Sequence, residues 1–507
     1  MGEVVLPSAN SQSNPAIGEF LPSVNSDSQS NAKLRKSQSS LNLSPRLTHE
    51  GSLIEARCNI LEDEPEKHKK HVTFWGAFFV NMICSIGASL LFYPYLFSTL
   101  GYVLSFCFLM LAGFLETTML LLFYKCLMMA KELHPEKQIT SLEDVGRLAF
   151  GNWFYVMAFI VWNLTIFIVA VTFFILVGNA MTGFHDFLPG TEVSGVKVSN
   201  FVWSGIVAIP MILLTYLPDL RVLSYAAKLG VVAVVAVLVN QIFLSAKAMH
   251  DDFNNDPSLG GLGPAKAVAD LGDGIDAVKV LLGGLKTFLY GYGAIVSAPS
   301  VVLDMGPNHP SFPKAAIWSH VCITLIYLIF GYLGYAAFGT AAPEEFIDSD
   351  SVIHEHYYAY WCVAAASSVL NNLVTIPIFL LTVSRAFERF LKSEKYVYKI
   401  CLRTVIAVLC VALACTPISY FTQLSGLIPM CTLSLVALIW PVCFYWKLKS
   451  MHEKKQGLSR PYKALIKDEP IKAGYHVIVV VIAVIAIIFG FWTSLEDLIN
   501  KVKDGNK

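Results

Sequence analysis

Apolar windows of about 20 residues, each long enough to cross a hydrocarbon core of ~30 Å as a helix, recur from Val72 to Trp492. They predict eleven spans, at 73–97, 101–127, 153–178, 200–217, 222–245, 281–303, 316–338, 359–384, 402–418, 424–446 and 474–492. The pattern thus predicts an all-α integral membrane protein with eleven transmembrane helices. Residues 1–71 are different: they are rich in Ser, Asn and Pro and carry low-complexity runs such as Ser37-Gln38-Ser39-Ser40. Such a stretch cannot bury a core and predicts a disordered tail. No charged segment followed by a short apolar one opens the chain, so the first span is expected to act as its own insertion signal.

Two of the spans are interrupted. A bilayer-spanning helix satisfies its own backbone, so a break at membrane depth is tolerated only where it is buried in protein or lines a cavity. The first span reads Ile83-Cys84-Ser85-Ile86-Gly87-Ala88-Ser89-Leu90-Leu91-Phe92-Tyr93-Pro94-Tyr95, with small residues at its middle and Pro94 after them. The sixth reads Leu285-Lys286-Thr287-Phe288-Leu289-Tyr290-Gly291-Tyr292-Gly293-Ala294 and then Ala298-Pro299-Ser300. Either one alone is better read as close helix packing. Their spacing, five spans apart, is what two inverted five-helix repeats would give, at about 72–246 and 278–447, with an eleventh helix at about 474–492 appended. Broken ends of this kind converge at the bilayer midplane. Half-helix N-termini there offer N–H groups to an anion, and unwound carbonyls receive a cation. An amino-acid zwitterion carries both charges, so an amino-acid-sized ligand is expected.

Composition and charge sharpen this picture. Only 15% of the 507 residues are charged and 55% are hydrophobic, and the mean hydropathy is +0.57. Soluble proteins carry roughly 25% charged residues, so a soluble globular chain is excluded. The 37 basic and 37 acidic residues cancel, which argues against nucleic acid as a partner. The cancellation is a matter of position. With the tail in the cytoplasm, the segments on its side and their helix ends hold 29 of the 37 basic residues, the asymmetry of the positive-inside rule. The opposite loops are acidic, with Asp251, Asp252, Asp256, Asp270, Asp273 and Asp276 in one and Glu344, Glu345, Asp348, Asp350 and Glu355 in the next. The short C-terminal tail, 493–507, is expected on that luminal or extracellular side. Most of the eleven cysteines lie in or beside apolar spans, where they read as small hydrophobes, and no structural disulfide is expected.

The stretch Leu289 to Gly339, with L-Y-G-Y-G-A-I-V-S-A-P-S-V-V-L-D-M-G, F-P-K-A-A-I-W-S-H and G-Y-L-G-Y-A-A-F-G, resembles the sixth and seventh helices of the amino acid/auxin permease family. Leu90 to Gly101, with Tyr-Pro-Tyr at 93–95, resembles the end of the family's first helix. Within the family the chain is most similar to the vesicular inhibitory amino acid (GABA/glycine) transporters. The long N-terminus, the eleven spans and the ending Gly490-Phe491-Trp492-Thr493-Ser494-Leu495-Glu496-Asp497-Leu498-Ile499 carry that similarity. The resemblance covers about 72–500, the predicted transporter domain. It implies a LeuT-like 5+5 inverted repeat and secondary amino-acid transport driven by an ion gradient. H⁺ or Na⁺ would be the coupling ion, with no other cofactor. Two positions depart from the family pattern: Asn81 sits two residues before its first-helix Asn, which is Ile83 here, and Val302 replaces its Glu after Pro-Ser, leaving Asp304 two residues on.

The candidate substrate contacts are Gly87, Ala88 and Ser89 in the first break and Tyr290, Gly291, Tyr292 and Gly293 in the sixth. Close helix packing is the plainer account of the same residues. Asn371, Asn372 and Thr375, ahead of Pro377 in the eighth span, are candidates for a polar cavity or ion site, against ordinary interhelical hydrogen bonding. Glu116 and Lys286 are the acid and base well inside spans, and a charge at that depth is a functional hypothesis by default. Lys286 also sits close enough to the span edge to snorkel. His320 and His476 are expected at interfaces, and His354 and His356 as solvated loop residues that could sense low pH. A vesicular transporter is the sharpest reading. A plasma-membrane or lysosomal symporter of small neutral amino acids and a non-transporting sensor are the alternatives. No metal-ligand spacing or nucleophile elbow lies in the spans, so an enzyme is not expected. Oligomeric state is left open.

Overall fold

The computed structural model describes residues 71–504 apart from 87–88, 138, 185–191, 194–195, 198–199, 217–219, 269–270, 273, 345, 348–350, 390–394, 415–427, 430–431 and 459–461. The tail before His71, and Gly87 and Ala88 of the first break, lie outside the described residues.

Helix follows helix: α1 (Phe74–Ile86), α2 (Tyr93–Leu133), α3 (Leu142–Phe150), α4 (Asn152–Thr182), α5 (Asn200–Thr215), α6 (Leu220–His250) and α7 (Ile275–Tyr290). Then come α8 (Ala298–Met305), α9 (Phe312–Phe338), α10 (Tyr358–Glu388), α11 (Tyr396–Ala414), α12 (Trp440–Lys455) and α13 (Pro470–Asp504). Described helix falls in each of the eleven predicted windows. Among the described residues seven helical stretches are long and apolar enough to cross a membrane, and Phe74–Ile86 and Gly205–Thr215 are shorter apolar helices.

The first two windows run together. The gap between them, 98–100, is itself helix, and the chain turns at Gly101 (φ 71°, ψ 175°) and resumes as helix at once. A left-handed φ at such a turn favours glycine. A second departure is a two-residue antiparallel ladder, Glu192–Val193 against Val196–Lys197, where the described residues otherwise carry no strand. A third is α3, an amphipathic helix in a segment read as a loop. Its start is capped by Ser141, whose hydroxyl accepts from the Asp144 N–H while the Asp144 carboxylate accepts from the Thr140 N–H, a reciprocal cap that stabilises the first turn.

α9 packs along α1 and α2, α10 along α4 and α6, and α1 against α6, so the two broken segments sit inside a shell of long helices. The outward faces are apolar: Val232, Val235, Val239, Ile242 and Phe243 on α6, and Val477, Ile478, Val481, Val484 and Ile488 on α13 are exposed. That surface suits lipid. α13 is peripheral and is tied at its start to α12, where Glu469 meets Lys449 at 2.9 Å and Lys472 at 3.3 Å. The Lys449 and Lys472 ammonium groups hold the Glu469 carboxyl down at about 2, from an ordinary 4.5. A depressed carboxyl contributes stability above its unfolded pKa and loses it as pH falls toward the folded value. Thermal melts in detergent are therefore expected to drop between pH about 4.5 and 2, and Glu469→Gln should flatten that part of the curve. An unchanged curve would deny the tie.

Candidate functional site

The first break opens where α1 ends at Ile86, and a 3-10 turn, Ser89–Phe92, leads into α2 with Pro94 in its first turn. The second opens where α7 ends at Tyr290. Tyr292 leaves helical backbone (φ −112°, ψ 77°), Gly293–Val296 forms a 3-10 turn, and α8 resumes with Pro299 in its first turn. Proline lacks an N–H and has a fixed φ, so it suits a first helical turn and marks where each helix restarts. Helix ends leave backbone donors and acceptors without helical partners. Four such ends are thereby brought into the interior.

The two breaks touch. A Cβ on Gly293 would lie 2.8 Å from the Cys84 carbonyl oxygen, so glycine lets the sixth-span backbone lie against the first. Between them sits Tyr327 of α9, fully buried. Its hydroxyl is 2.7 Å from the Ser85 carbonyl, 2.7 Å from the Gly291 carbonyl and 2.7 Å from the Ser89 hydroxyl. A phenol has one proton, so it donates to one break at a time, and in its contact with Ser89 either hydroxyl can be the donor. Tyr93 stacks on Tyr327 at 4.1 Å. A Cβ on Gly291 would sit 2.4 Å from the Tyr93 hydroxyl oxygen. The Tyr93 hydroxyl, the Ser85 hydroxyl and both ends of the Asn81 amide are buried with no hydrogen-bond partner among the described residues. Buried polar groups are normally satisfied, which marks this region as built to receive polar atoms.

Tyr292 points its hydroxyl at Thr324 (2.7 Å), and its ring stacks on His320 at 5.7 Å and 12°. His320 is thus 2% exposed and its expected interfacial position is corrected: α9 starts at Phe312, one turn earlier than the predicted span, which carries His320 into the bundle. His476 is likewise buried, accepting from the Trp446 indole N–H at 2.9 Å. His354 is not a solvated residue either. Its ring packs edge-on to Trp361 and its Nε2 lies 3.1 Å from the Gly183 carbonyl.

Of the remaining candidates, Asn371 and Asn372 are both buried, and neither the Asn371 Oδ1 nor the Asn372 amide has a partner among the described residues. The Asn371 oxygen lies against Gly230 of α6, beside Ile83. Thr375 donates back to the Asn371 carbonyl at 2.9 Å. Lys286 is held by α13, its ammonium 3.0 Å from the Ser494 hydroxyl and 3.4 Å from the Gly490 carbonyl, with glycine at 490 making room for its stem. Lys286→Ala should therefore lower stability, by about 1–3 kcal/mol, more than it lowers uptake. Tyr290 is partly buried at the end of α7, and Ser89 is partly exposed.

A pocket beside the first break, lined by Ile86, Leu90, Val234, Ser368 and Asn371 among others, holds only about 10 Å³, room for no more than a water. A cavity of about 170 Å³ lies toward the end of the bundle where basic residues gather, lined by Trp162, Pro299, Ser300, Thr382, Arg385 and Arg389 among others. Its wall is stitched by ion pairs: Arg385 to Asp304 at the end of α8 (3.1 Å), and Arg389 to Glu143 and Asp144 of α3 (both 3.3 Å). Burial pushes the Glu143 carboxyl up while Arg389 opposes it. Asp304 also accepts, through its carbonyl, from the Val72 N–H at 2.9 Å. The segment before α1 and the end of α8 are thereby pinned together.

Paired helix breaks inside a multi-helix, lipid-faced bundle define an integral membrane protein with a broken-helix architecture. The fold is shared with Mhp1, a nucleobase-cation-symport-1 family transporter solved in a closed conformation with bromovinylhydantoin bound (TM-score 0.52, 11% identity, 85% of this chain and 94% of that one). The chain belongs to the family described as transmembrane amino acid transporter protein, which it matches over residues 70–496. Among its Arabidopsis thaliana relatives are lysine histidine transporter-like 1, 22% identical over 69% of this chain and 73% of that protein, and amino acid transporter AVT1B, 23% identical over 83% and 70%. Amino acid transporter AVT1C is 21% identical over 97% of this chain and 82% of its own length. These relatives are transporters by name, and the family is not one of enzymes.

Proposed function

We propose that the protein is a secondary active transporter that carries small neutral amino acids across the membrane at its paired breaks, driven by an ion gradient, with protons as the coupling ion. The observation that carries this is the meeting of the two breaks at Gly293 and Tyr327, where backbone carbonyls of both are presented to one hydroxyl. Backbone groups would hold the substrate's carboxylate and amine, with Ser89, Tyr290, Gly291 and Tyr292 around the side chain. Asn371, Asn372 and Thr375 would form the polar wall on α10. With eleven crossings and a cytoplasmic N-terminus, as the charge asymmetry supports, the cavity at Arg385 and Arg389 would open to the cytoplasm. Loading of GABA or glycine into vesicles is the particular form we favour.

In this reading the structure is closed around the breaks, and the ion pairs at Asp304, Glu143 and Asp144 must part for exchange with the cytoplasm. Replacing Arg385 and Arg389 together with Ala is expected to speed labelling of Ser300→Cys by a polar thiol reagent and to lower driven uptake about fivefold. Unchanged labelling would remove the gate.

The reading itself is tested by a panel of radiolabelled amino acids offered to proteoliposomes under separate pH, voltage and Na⁺ gradients. Accumulation of small neutral amino acids under the pH gradient supports it. Ligand-dependent thermal stabilisation with no flux under any gradient would instead make the protein a sensor.

A further inference from the structure

Glu116 lies on α2, 4% exposed, in an apolar stretch, and has no hydrogen-bond or ion-pair partner among the described residues. The other buried acid among those residues, Glu143, is paired with Arg389. A charge at membrane depth costs several kcal/mol unless it is paired or wet, and such groups mark ion and proton paths. The titratable groups close enough to feel a charge on Glu116 are Tyr292, from the sixth-span break, and Tyr475, from α13. Tyr475 is itself engaged by the Thr118 hydroxyl.

The approach of Glu116 to the break is built into α2. One turn before it stands Gly113, where a Cβ would lie 2.9 Å from the Tyr292 hydroxyl oxygen and 2.7 Å from that of Thr324. Glycine thus opens the α2 face to the tip of Tyr292 on the side that carries Glu116. Successive turns of α9 then grip the same assembly. His320 stacks on the Tyr292 ring, Thr324 bonds its hydroxyl, and Tyr327 lies within hydrogen-bond reach of a carbonyl of each break. Tyr292 and Tyr327 also meet edge to face at 5.6 Å. His320 Nδ1 lies 2.9 Å from the Ala316 carbonyl. A carbonyl only accepts, so Nδ1 carries the proton and fixes the ring that supports Tyr292.

We propose that Glu116 is the protonatable group that couples the ion gradient to the breaks, with Tyr292 as its link to the substrate site and His320 as the positioning residue for Tyr292. A proton taken up by the Glu116 carboxylate from one side makes a neutral acid able to donate to the Tyr292 hydroxyl oxygen. Its release to the other side restores the carboxylate. One proton thus crosses per cycle: the carboxyl O–H bond formed on uptake is the one broken on release, and no bond between heavier atoms changes. The proposal rests on the transport reading above.

The test uses the full chain in proteoliposomes and a labelled amino acid that the wild type accumulates. Two quantities are read: accumulation driven by an imposed pH gradient, and counterflow exchange with no gradient. Glu116→Gln is expected to lose driven accumulation about tenfold while keeping counterflow near the wild-type rate, and Glu116→Asp to restore part of the drive. His320→Gln is expected to shift the pH of half-maximal uptake. Driven accumulation by Glu116→Gln equal to wild type overturns the proposal, as does parallel loss of both activities in a folded variant, which would mean a structural role. An unshifted pH profile removes His320 from it. A wild type that neither accumulates nor exchanges any amino acid would instead overturn the transport reading.

Discussion

Gly293→Val is expected to abolish amino-acid uptake, by about 100-fold, the scale on which a 1 Å displacement of a positioned group acts. The first atom of any side chain at 293 would stand 2.8 Å from the Cys84 carbonyl oxygen, and that oxygen is backbone and cannot swing aside. The two breaks would have to separate. Tyr327 could then no longer reach the Ser85 and Gly291 carbonyls together, since both now lie 2.7 Å from its hydroxyl. Radiolabelled uptake, with surface or vesicle abundance measured on the same samples, checks this. Full uptake by an abundant Gly293→Val protein would show that the breaks do not need to meet.

Tyr327→Phe is the second large effect. It keeps the ring that stacks on Tyr93 and removes only the oxygen shared by Ser85, Gly291 and Ser89. Leaving a buried carbonyl without its donor costs about 1–3 kcal/mol, so the melting temperature of the purified protein should fall, and uptake should fall with it. Ser89→Ala removes a smaller part of the same cluster, because the Ser89 hydroxyl also lies 2.9 Å from the Ser85 carbonyl within its own segment. Its effect should be the lesser of the two. A Tyr327→Phe protein as stable and as active as wild type would remove the cross-link from the mechanism.

Much of this architecture is legible in the residues, for a simple reason. Apolar length defines a membrane helix, and glycine or small residues followed by proline define where one is broken, so both breaks and their five-span spacing stand in the sequence. The residues that join the breaks do not. Tyr327, Thr324 and His320 recur at one-face spacing in an apolar helix, but nothing in the sequence says what that face meets. Their partners are carbonyls and a tyrosine that only the tertiary fold brings to them. His320 reads as interfacial because an apolar window starts at 316, whereas the helix begins at Phe312 behind a proline turn. Lys286 reads as a solitary intramembrane cation because its partners, Gly490 and Ser494, lie some two hundred residues away. The helix at Leu142–Phe150 was readable after all, from Ser141 and Asp144 in capping register, but its short apolar face gave no window.

The most direct measurement is equilibrium binding of a labelled amino acid that the protein transports, on purified protein with the breaks intact and altered. Gly293→Val and Tyr327→Phe should weaken binding about tenfold or more, while Lys286→Ala and Glu469→Gln, which act at the α13 ties, should bind as wild type does. Undiminished binding by both break variants would place the substrate elsewhere and contradict the account.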